Sequence, residues 1–299
     1  MKLGCVIHKG TMAPVARVHG RLVNLQKVAD VVAPGSRFPT GVEMVKRLMA
    51  PDASFSTVIE VIRSLKTSCP SRFFQPETGL QWLPPVHDAR QVICVGLNYR
   101  SHCAEQNVPE PVEPRFFSKL VSSMTGHLRP ISLWPVTNAV DYEGELAIVI
   151  GKTTFREPES RVLSRVAGYM ILNDVSARDL QESDRQWMRA KSLDGFCPCG
   201  PFLTTADEIP DPDSLRITTT VNNEVRQDCP TSDMIFNAAA IISRLSQAIT
   251  LQPGDIIATG TPAGVGKFRD PRGYLSHGDT VSITIDGLGT LTNTFNGVE

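Results

Sequence analysis

The pattern of apolar and polar positions changes near residue 75 of the 299-residue chain. Up to about residue 50, short strands and a turn precede a helical stretch. Residues 55–68 then repeat apolar side chains at helical spacing and predict a second helix, after which a Pro-rich connector follows. We therefore predict a small N-terminal α/β cap, residues 1–75, and a larger domain, residues 85–299.

Strand patterns dominate the larger predicted domain. Its predicted strands cover residues 91–99, 145–151, 167–176, 215–228, 254–260 and 278–293. In one of them, alternation by twos turns at Asn222-Asn223, which indicates a hairpin. The clearest helix covers residues 234–250, with Ser232 as its expected cap. Since few helices separate the strands, a doubly wound parallel sheet is disfavoured, and a β-rich α+β fold with a mixed sheet is expected.

Composition and charge narrow the class of partner. Apolar residues make up 41% of the chain and charged residues 20%, as in ordinary globular proteins. Thirty basic and thirty-one acidic residues give a net charge of −1. No strong global field therefore attracts nucleic acid or an anionic membrane, and neither partner is expected.

The seven cysteines do not form the dense, even framework of a small secreted domain, which favours a reduced intracellular protein. Cys197 and Cys199 are separated by one residue, and no second pair exists, so they are interpreted as loop or core residues. The first acidic residue is Asp30, a bias shared with transit peptides, but the strand-like pattern before it argues against one. Cytoplasm is the expected location, ahead of the mitochondrion.

Two glutamates begin an apolar strand in the segment DYEGELAIVIG, residues 141–151. Residues two apart in a strand project to the same face, so Glu143 and Glu145 direct their carboxylates at one point. Gly144 between them permits a close approach to the backbone. Taken alone, this pair is explained at least as well by solvated glutamates at an exposed strand start.

Asp174 changes this balance because it ends a second apolar run, GYMILND, and so adds a third carboxylate from a rigid element. Three carboxylates without a suitable nitrogen or sulfur cluster favour Mg²⁺, with Mn²⁺ or Ca²⁺ as substitutes. Three protein ligands would leave coordination positions for water and a chelating substrate.

Other candidate residues lie on either side of these carboxylates. His102 and Glu105 form H-x-x-E, and on a helix the glutamate would orient the imidazole for proton transfer, although a solvent-facing pair is the simpler interpretation. Arg178, Gln181 and Lys191 lie in a charged run that usually indicates a solvated helix. Lys191, however, stands beside aromatic residues, which favours burial.

The glycine-rich segment GTPAGVGKF, residues 260–268, lacks the spacing of a phosphate-binding loop. We interpret it as a tight loop that presents Thr261 to a substrate.

These segments occur in the order found in the fumarylacetoacetate hydrolase family, which the chain resembles over roughly residues 85–295. The segments that carry the resemblance are GLNYRSHCAEQN, FFSK, DYEGELAIVIG, NDVSARDLQ, AKSLDGFCPCGP, VNNEVRQD, TSDMIF and GDIIATGTPAGVG. The chain is most similar to the short branch of the family, including its N-terminal cap. The resemblance implies a β-rich roll, usually dimeric, with a magnesium or calcium site.

The resemblance also implies a role for each candidate residue. It implies metal ligands at Glu143, Glu145 and Asp174, a His–Glu pair on a lid at His102 and Glu105, a catalytic lysine at Lys191, and substrate contacts at Lys119, Arg178, Gln181 and Thr261. Cys199 departs from the family, whose members often have an apolar residue there. This departure bears on the shape of the pocket and leaves the metal site unaffected.

The expected function is that of a magnesium-dependent enzyme acting on a small 2-oxo or 2,4-dioxo acid through a metal-bound enolate. Hydrolysis of a C–C bond in an acylpyruvate-like compound ranks slightly first, because His102 and Glu105 could activate water while Lys191 and the metal hold the enolate. The same site could decarboxylate oxaloacetate or interconvert its keto and enol forms. A non-catalytic binding protein on the same fold is a more remote alternative.

Overall fold

The computed structural model describes residues 1–65 and 70–298. Its helices are α1 (Leu25–Val32), α2 (Gly41–Met49), α3 (Ala53–Ser64), α4 (Arg100–Glu105), α5 (Glu159–Val162), α6 (Arg178–Asp184), α7 (Trp187–Lys191) and α8 (Ala238–Ser246). Its strands are β1 (Lys2–His8), β2 (Thr11–Val18), β3 (Arg21–Asn24), β4 (Gln81–Leu83), β5 (Val92–Gly96), β6 (Arg115–Lys119), β7 (Met124–Thr125), β8 (Ile131–Leu133), β9 (Val140–Asp141), β10 (Gly144–Ile150), β11 (Val166–Asn173), β12 (Ser176–Ala177), β13 (Cys197–Thr205), β14 (Arg216–Val221), β15 (Glu224–Pro230), β16 (Ile256–Ala258), β17 (Thr280–Ile285) and β18 (Gly289–Gly297).

The largest sheet has eleven strands and mixes parallel with antiparallel pairs. Its path is β3-β2-β1-β13-β11-β10-β16-β5-β6, with β4 paired to β1 and β7 paired to β13. Pairs β16–β5 and β13–β7 are parallel, whereas β10 pairs antiparallel with both β11 and β16. A five-stranded sheet has the order β15-β14-β17-β18-β8. The predicted β-rich α+β fold with a mixed sheet is thereby confirmed.

Alternate residues of β10 belong to different apolar clusters. Leu146 and Ile148 pack in the cluster that contains the inward residues of the five-stranded sheet. Ala147 and Val149 pack in the cluster that contains residues of α1, α2 and α3. Successive side chains of a strand point to opposite faces, so the large sheet is covered on both faces. This explains why every residue of β10 is buried.

Sheet and core both continue across the predicted boundary between residues 1–75 and 85–299. Strand β1 pairs antiparallel with β13, with Leu3 opposite Leu203. Without β1, this edge of β13 would expose unpaired hydrogen-bonding groups, so the N-terminal strands extend the large sheet. The division into two domains stays a prediction.

The two predicted long helices are shorter in the structure. Helix α3 begins after Asp52, whose side chain accepts a hydrogen bond from the N–H of Phe55, and residues 66–68 of the predicted helix lie outside the described residues. The predicted cap of α8, Ser232, is wrong. Asn237 is the cap, because its side chain accepts from the N–H of Ala240 directly before the first helical residue.

The predicted hairpin at Asn222-Asn223 is confirmed. Both residues have positive φ, 51° and 68°, and they connect β14 to β15. Asparagine tolerates this left-handed conformation better than most residues, which is why the pair indicates a tight turn. None of the described helices is both long enough and apolar enough to cross a membrane.

Candidate metal and substrate site

Three carboxylates converge where the start of β10 lies beside the end of β11. Gly144 pairs with Asn173 across these strands, so the residues that flank the pair are brought together. Carboxylate oxygens of Glu143, Glu145 and Asp174 all lie within 4.8 Å of one another. All three residues are buried, so the alternative of solvated glutamates does not hold.

Two lysines contact the carboxylate cluster, which we define as Glu143, Glu145 and Asp174. Lys191 Nζ lies 2.7 Å from Glu143 Oε2 and 2.8 Å from Asp174 Oδ2, and the burial expected for this lysine is confirmed. Lys119 Nζ lies 2.6 Å from Asp174 Oδ1. The Lys119 side chain is 0% exposed and is absent from the walls of the cavity beside the cluster. Its ion pair with Asp174 therefore serves to position that carboxylate. The predicted contact of Lys119 with substrate stays a prediction.

Arg178 binds the cluster from another side. Its Nη1 lies 2.7 Å from Glu143 Oε1 and donates to Gln181 Oε1 at 3.1 Å. Its Nε donates to Asp141 Oδ2 at 2.8 Å. Its Nη2 is buried and has no hydrogen-bond partner within the described residues. A buried donor without a partner is costly, so Arg178 is not fully compensated by its neighbours.

Asp141 is a structural residue of the site that the sequence analysis did not single out. Besides Arg178, it accepts hydrogen bonds from the N–H groups of Gly266 at 2.7 Å and Lys267 at 3.0 Å. It therefore connects the glycine-rich loop to the arginine. The available signal was the alternation of acidic residues in DYEGE, since Asp141 precedes Glu143 by the same two-residue step.

The buried charges do not balance. Four acidic side chains, Asp141, Glu143, Glu145 and Asp174, face three basic ones, Lys119, Arg178 and Lys191. Burial opposes ionisation of Glu143, but Lys191 and Arg178 outweigh it and hold the pKa of Glu143 well below its usual range. Burial raises the pKa of Glu145, and the charges of Asp174 and Glu143 raise it further.

This imbalance fits a divalent cation. Glu145 is fully buried, has no basic partner at ion-pair distance among the described residues, and accepts a hydrogen bond from the N–H of Gly260 at 2.9 Å. Three converging carboxylates form the hard, oxygen-only donor set that Mg²⁺ and Mn²⁺ prefer. Glu143, Glu145 and Asp174 are therefore the residues that could hold the metal.

The histidine and its glutamate lie on α4, as the spacing predicts. His102 Nδ1 lies 2.6 Å from Glu105 Oε1, and the other oxygen of Glu105 accepts from the N–H of Gly264 at 2.9 Å. Gln106 Nε2 lies 2.7 Å from His102 Nε2. His102 is buried, so the alternative of a solvent-facing pair does not hold.

These groups surround a cavity with a volume of about 230 Å³. Of the predicted site residues, those on its walls are His102, Glu143, Glu145, Arg178, Gln181, Lys191 and Thr261. Its walls also include Gln106, Glu182 and Lys267, which the sequence analysis did not select. Cys199 lies instead in the apolar cluster on the side of the N-terminal helices, so the expected effect of Cys199 on pocket shape is wrong.

Thr261 lines the cavity, but its hydroxyl is already engaged. Its Oγ1 donates to the carbonyl oxygen of Gly144 at 3.0 Å and accepts from Gln227 Nε2 at 2.8 Å. A Cβ at Gly144 would collide with the hydroxyl of Thr219. The missing side chain of Gly144 therefore makes room for the five-stranded sheet, and the predicted contact of Thr261 with substrate stays a prediction.

Comparison with known proteins identifies the family. The family model described as the C-terminal part of fumarylacetoacetate (FAA) hydrolase matches residues 91–296. The chain belongs to the fumarylacetoacetate hydrolase family. A relative in it is mitochondrial oxaloacetate tautomerase of Bos taurus, 45% identical over 233 residues, which are 77% of this chain and 73% of that protein. The corresponding protein of Rattus norvegicus is 46% identical over 219 residues, 73% of this chain and 70% of that protein.

Solved structures of the family agree with the fold. Fumarylacetoacetate hydrolase of Exiguobacterium antarcticum is 34% identical, with a TM-score of 0.81 and 100% of both chains covered. Maleylpyruvate hydrolase of Sphingobium sp. SYK-6, solved with manganese(II) and pyruvate, is 26% identical, with a TM-score of 0.77 and the same coverage. This family thus contains enzymes that act on oxo acids, and the predicted family membership is confirmed.

Proposed function

We propose that this protein is a divalent-metal-dependent enzyme that interconverts the keto and enol forms of a small 2-oxo dicarboxylic acid of the oxaloacetate class. The observation that carries the proposal is the buried His102–Glu105 pair, which shares one small cavity with the carboxylate cluster and Lys191. Tautomerisation needs one proton-exchanging group and stabilisation of one developing negative charge. The relatives at 45% and 46% identity are named oxaloacetate tautomerases, which supports placing this reaction ahead of hydrolysis.

Binding would use the cationic groups of the cavity. A divalent cation held by the carboxylate cluster would supply Lewis-acid polarisation of the 2-oxo group. The guanidinium of Arg178, which lines the cavity, would bind the carboxylate next to that group. Lys191 would orient the 2-oxo oxygen and stabilise the negative charge that develops on it. The small cavity volume restricts the ligand to a short acid.

Proton transfer would belong to His102. Because Glu105 accepts at Nδ1 and the Gln106 amide donates toward Nε2, the neutral ring carries its proton on Nδ1 and keeps a lone pair on Nε2. Nε2 would take a proton from C3 of the keto form, and Glu105 would stabilise the resulting imidazolium. Returning that proton to the 2-oxygen completes the enol. Gln106 would move aside when substrate binds.

Hydrolysis of an acylpyruvate is the second candidate. The same His102 could activate a water, and the structurally similar maleylpyruvate hydrolase, solved with pyruvate, supports this alternative. Decarboxylation of oxaloacetate would need the same enolate stabilisation without the water. We propose Mg²⁺ as the metal, with Mn²⁺ or Ca²⁺ as substitutes, a homodimeric assembly and a cytoplasmic location, although the similar tautomerases are named mitochondrial.

A substrate panel tests the proposal. Enol and keto oxaloacetate and a series of acylpyruvates would be followed with Mg²⁺ and with chelator, by ultraviolet absorbance and by product analysis. We expect the enol absorbance to fall faster when Mg²⁺ is present, while the total amount of oxaloacetate stays constant. Glu143→Ala should abolish this activity, whereas Glu60→Ala, at an exposed position of α3, should not. Pyruvate release from acylpyruvates without acceleration of the tautomerisation would favour hydrolysis, and no turnover of any 2-oxo acid would favour a binding protein.

A further inference from the structure

Lys267 and Glu182 form an ion pair at the mouth of the cavity. Lys267 Nζ lies 2.7 Å from Glu182 Oε1, and both residues line the cavity. The side chain of Lys267 is 22% exposed and that of Glu182 is 60% exposed. The side chains of Lys191 and Arg178 are only 2% and 5% exposed. Exposure therefore increases from the carboxylate cluster toward this ion pair, which marks the mouth.

Lys267 differs from the other basic groups of the cavity in the partner that it has. Arg178 and Lys191 are paired with buried carboxylates, and His102 is bonded to the largely buried Glu105. The partner of Lys267 is an exposed carboxylate on a flexible side chain. Exposed ion pairs are weak, so another carboxylate can replace Glu182 at little cost.

The position of Lys267 is fixed relative to the inner site. Its N–H donates to Asp141, the same carboxylate that binds Arg178. Its ammonium lies 5.4 Å from the ring centroid of Phe268, and that ring packs edge-on against His102 at 6.1 Å. The lysine is therefore presented to the cavity from a loop that contacts both the arginine network and helix α4.

We propose that Lys267 is a subsite for the second carboxylate of a 2-oxo dicarboxylic acid, which Glu182 occupies when no ligand is bound. The inference rests on the proposed function, which puts the 2-oxo end of the substrate at the carboxylate cluster. In so small a cavity, the far end of a four-carbon acid extends toward the mouth. The ligand's second carboxylate takes the place of the Glu182 carboxylate beside Lys267. Glu182, which is already largely exposed, then becomes fully hydrated.

The test compares binding of two unreactive acids by calorimetry in the presence of Mg²⁺. Malate and lactate share the 2-hydroxy acid end, but malate carries a second carboxylate where lactate has a methyl hydrogen. We expect the wild type to bind malate about 3- to 10-fold more tightly than lactate, because the contact is a partly exposed ion pair that replaces the one with Glu182. Lys267→Met should remove this preference and leave lactate binding unchanged.

Two further variants keep the test decisive. Lys152→Met, an exposed lysine beyond the opposite end of β10, should leave both affinities unchanged. Glu182→Gln removes the competing carboxylate and should increase malate affinity about 2- to 5-fold without changing lactate affinity. This second effect does not depend on how well Lys267→Met folds.

Measuring both binding and turnover distinguishes a failure of the subsite proposal from a failure of the proposed function. Equal affinity of the wild type for malate and lactate, or no binding of either, overturns the subsite. Equal loss of both affinities in Lys267→Met also overturns it, because the lysine would then serve the inner site or the fold. If the malate preference depends on Lys267 but no 2-oxo acid is turned over, the subsite stands and the proposed function fails.

Discussion

The cavity has two sides that are built differently. One side is the carboxylate cluster, held by hydrogen-bonded strands and buried together with Lys119, Arg178 and Lys191. The other side is α4, six residues long, which is held over the cavity mainly by side-chain contacts. Ser101 donates through both its N–H and its hydroxyl to Asp233, and Glu105 accepts from the loop at Gly264.

Because the two sides are built differently, we expect substitutions on them to affect stability and turnover differently. Charges on the cluster side are buried and share partners, so removing one changes the free energy of every neighbour. Helix α4, the predicted lid, is joined to residues 233–234 and 263–264 by hydrogen bonds that each involve a side chain, several of them partly exposed. Such segments open at lower cost than paired strands. Substitutions in the cluster should therefore alter folding as well as activity, and substitutions in the lid should alter activity alone.

Glu143→Ala should have the largest effect, on both activity and stability. It removes a candidate metal ligand and leaves Lys191 and Arg178 without one of their buried partners. We expect the free energy of unfolding to fall by about 3–5 kcal/mol, the usual cost of breaking a buried ion pair. Urea denaturation and turnover would measure the two effects, with Glu60→Ala as the control. Unchanged stability would show that Lys191 and Arg178 do not depend on Glu143 as a buried partner.

Glu145→Gln should abolish metal-dependent activity but stabilise the protein in chelator. Burial and neighbouring acids raise the pKa of Glu145, so the folded state binds its proton more tightly than the unfolded chain. Protonated Glu145 therefore contributes to stability below pH 4.5, the pKa of this side chain in the unfolded chain. This contribution is lost as pH rises through its pKa in the folded state. The melting temperature of the variant should exceed that of the wild type by more at about pH 8 than at about pH 5. A constant difference by calorimetry would contradict this prediction.

His102→Gln should reduce kcat by about 10²- to 10⁴-fold, the range for losing a positioned acid–base group. Glu105→Gln should act in the same direction with a smaller effect, because Glu105 orients the ring and stabilises the imidazolium but does not itself take the proton. Steady-state kinetics and calorimetric titration with Mg²⁺ would measure turnover and metal affinity separately. Loss of metal binding in His102→Gln would show that the lid and the cluster are not independent.

Asp233→Ala should have the smallest effect. It removes the carboxylate that accepts both hydrogen bonds of Ser101, so the lid should open more often. We expect KM to rise about 3- to 10-fold, with the melting temperature nearly unchanged. Faster amide hydrogen exchange over residues 100–106 would locate the effect, and Asp286→Ala, at an exposed position, is the control. Unaltered exchange together with a lower melting temperature would contradict a lid role.

The amino-acid sequence determined the features that depend on backbone periodicity. Alternation by twos made Glu143 and Glu145 share one face, and helical spacing put Glu105 beside His102. It also indicated the strands and the tight turn at Asn222. These relations act over a few residues, so local geometry is sufficient to predict them.

The tertiary structure decided which oppositely charged residues, far apart in the sequence, form pairs. Asp141 is 37 residues from Arg178 and 125 residues from Gly266, yet it binds both. Lys119 contacts Asp174 from outside the cavity, and Lys267 reaches Glu182 at its mouth. These pairs are chosen by strand order and by the path of the glycine-rich loop, and no local period encodes either. Because the energy of a buried charge depends on the neighbours that pack around it, the balance of this site is a property of the complete fold.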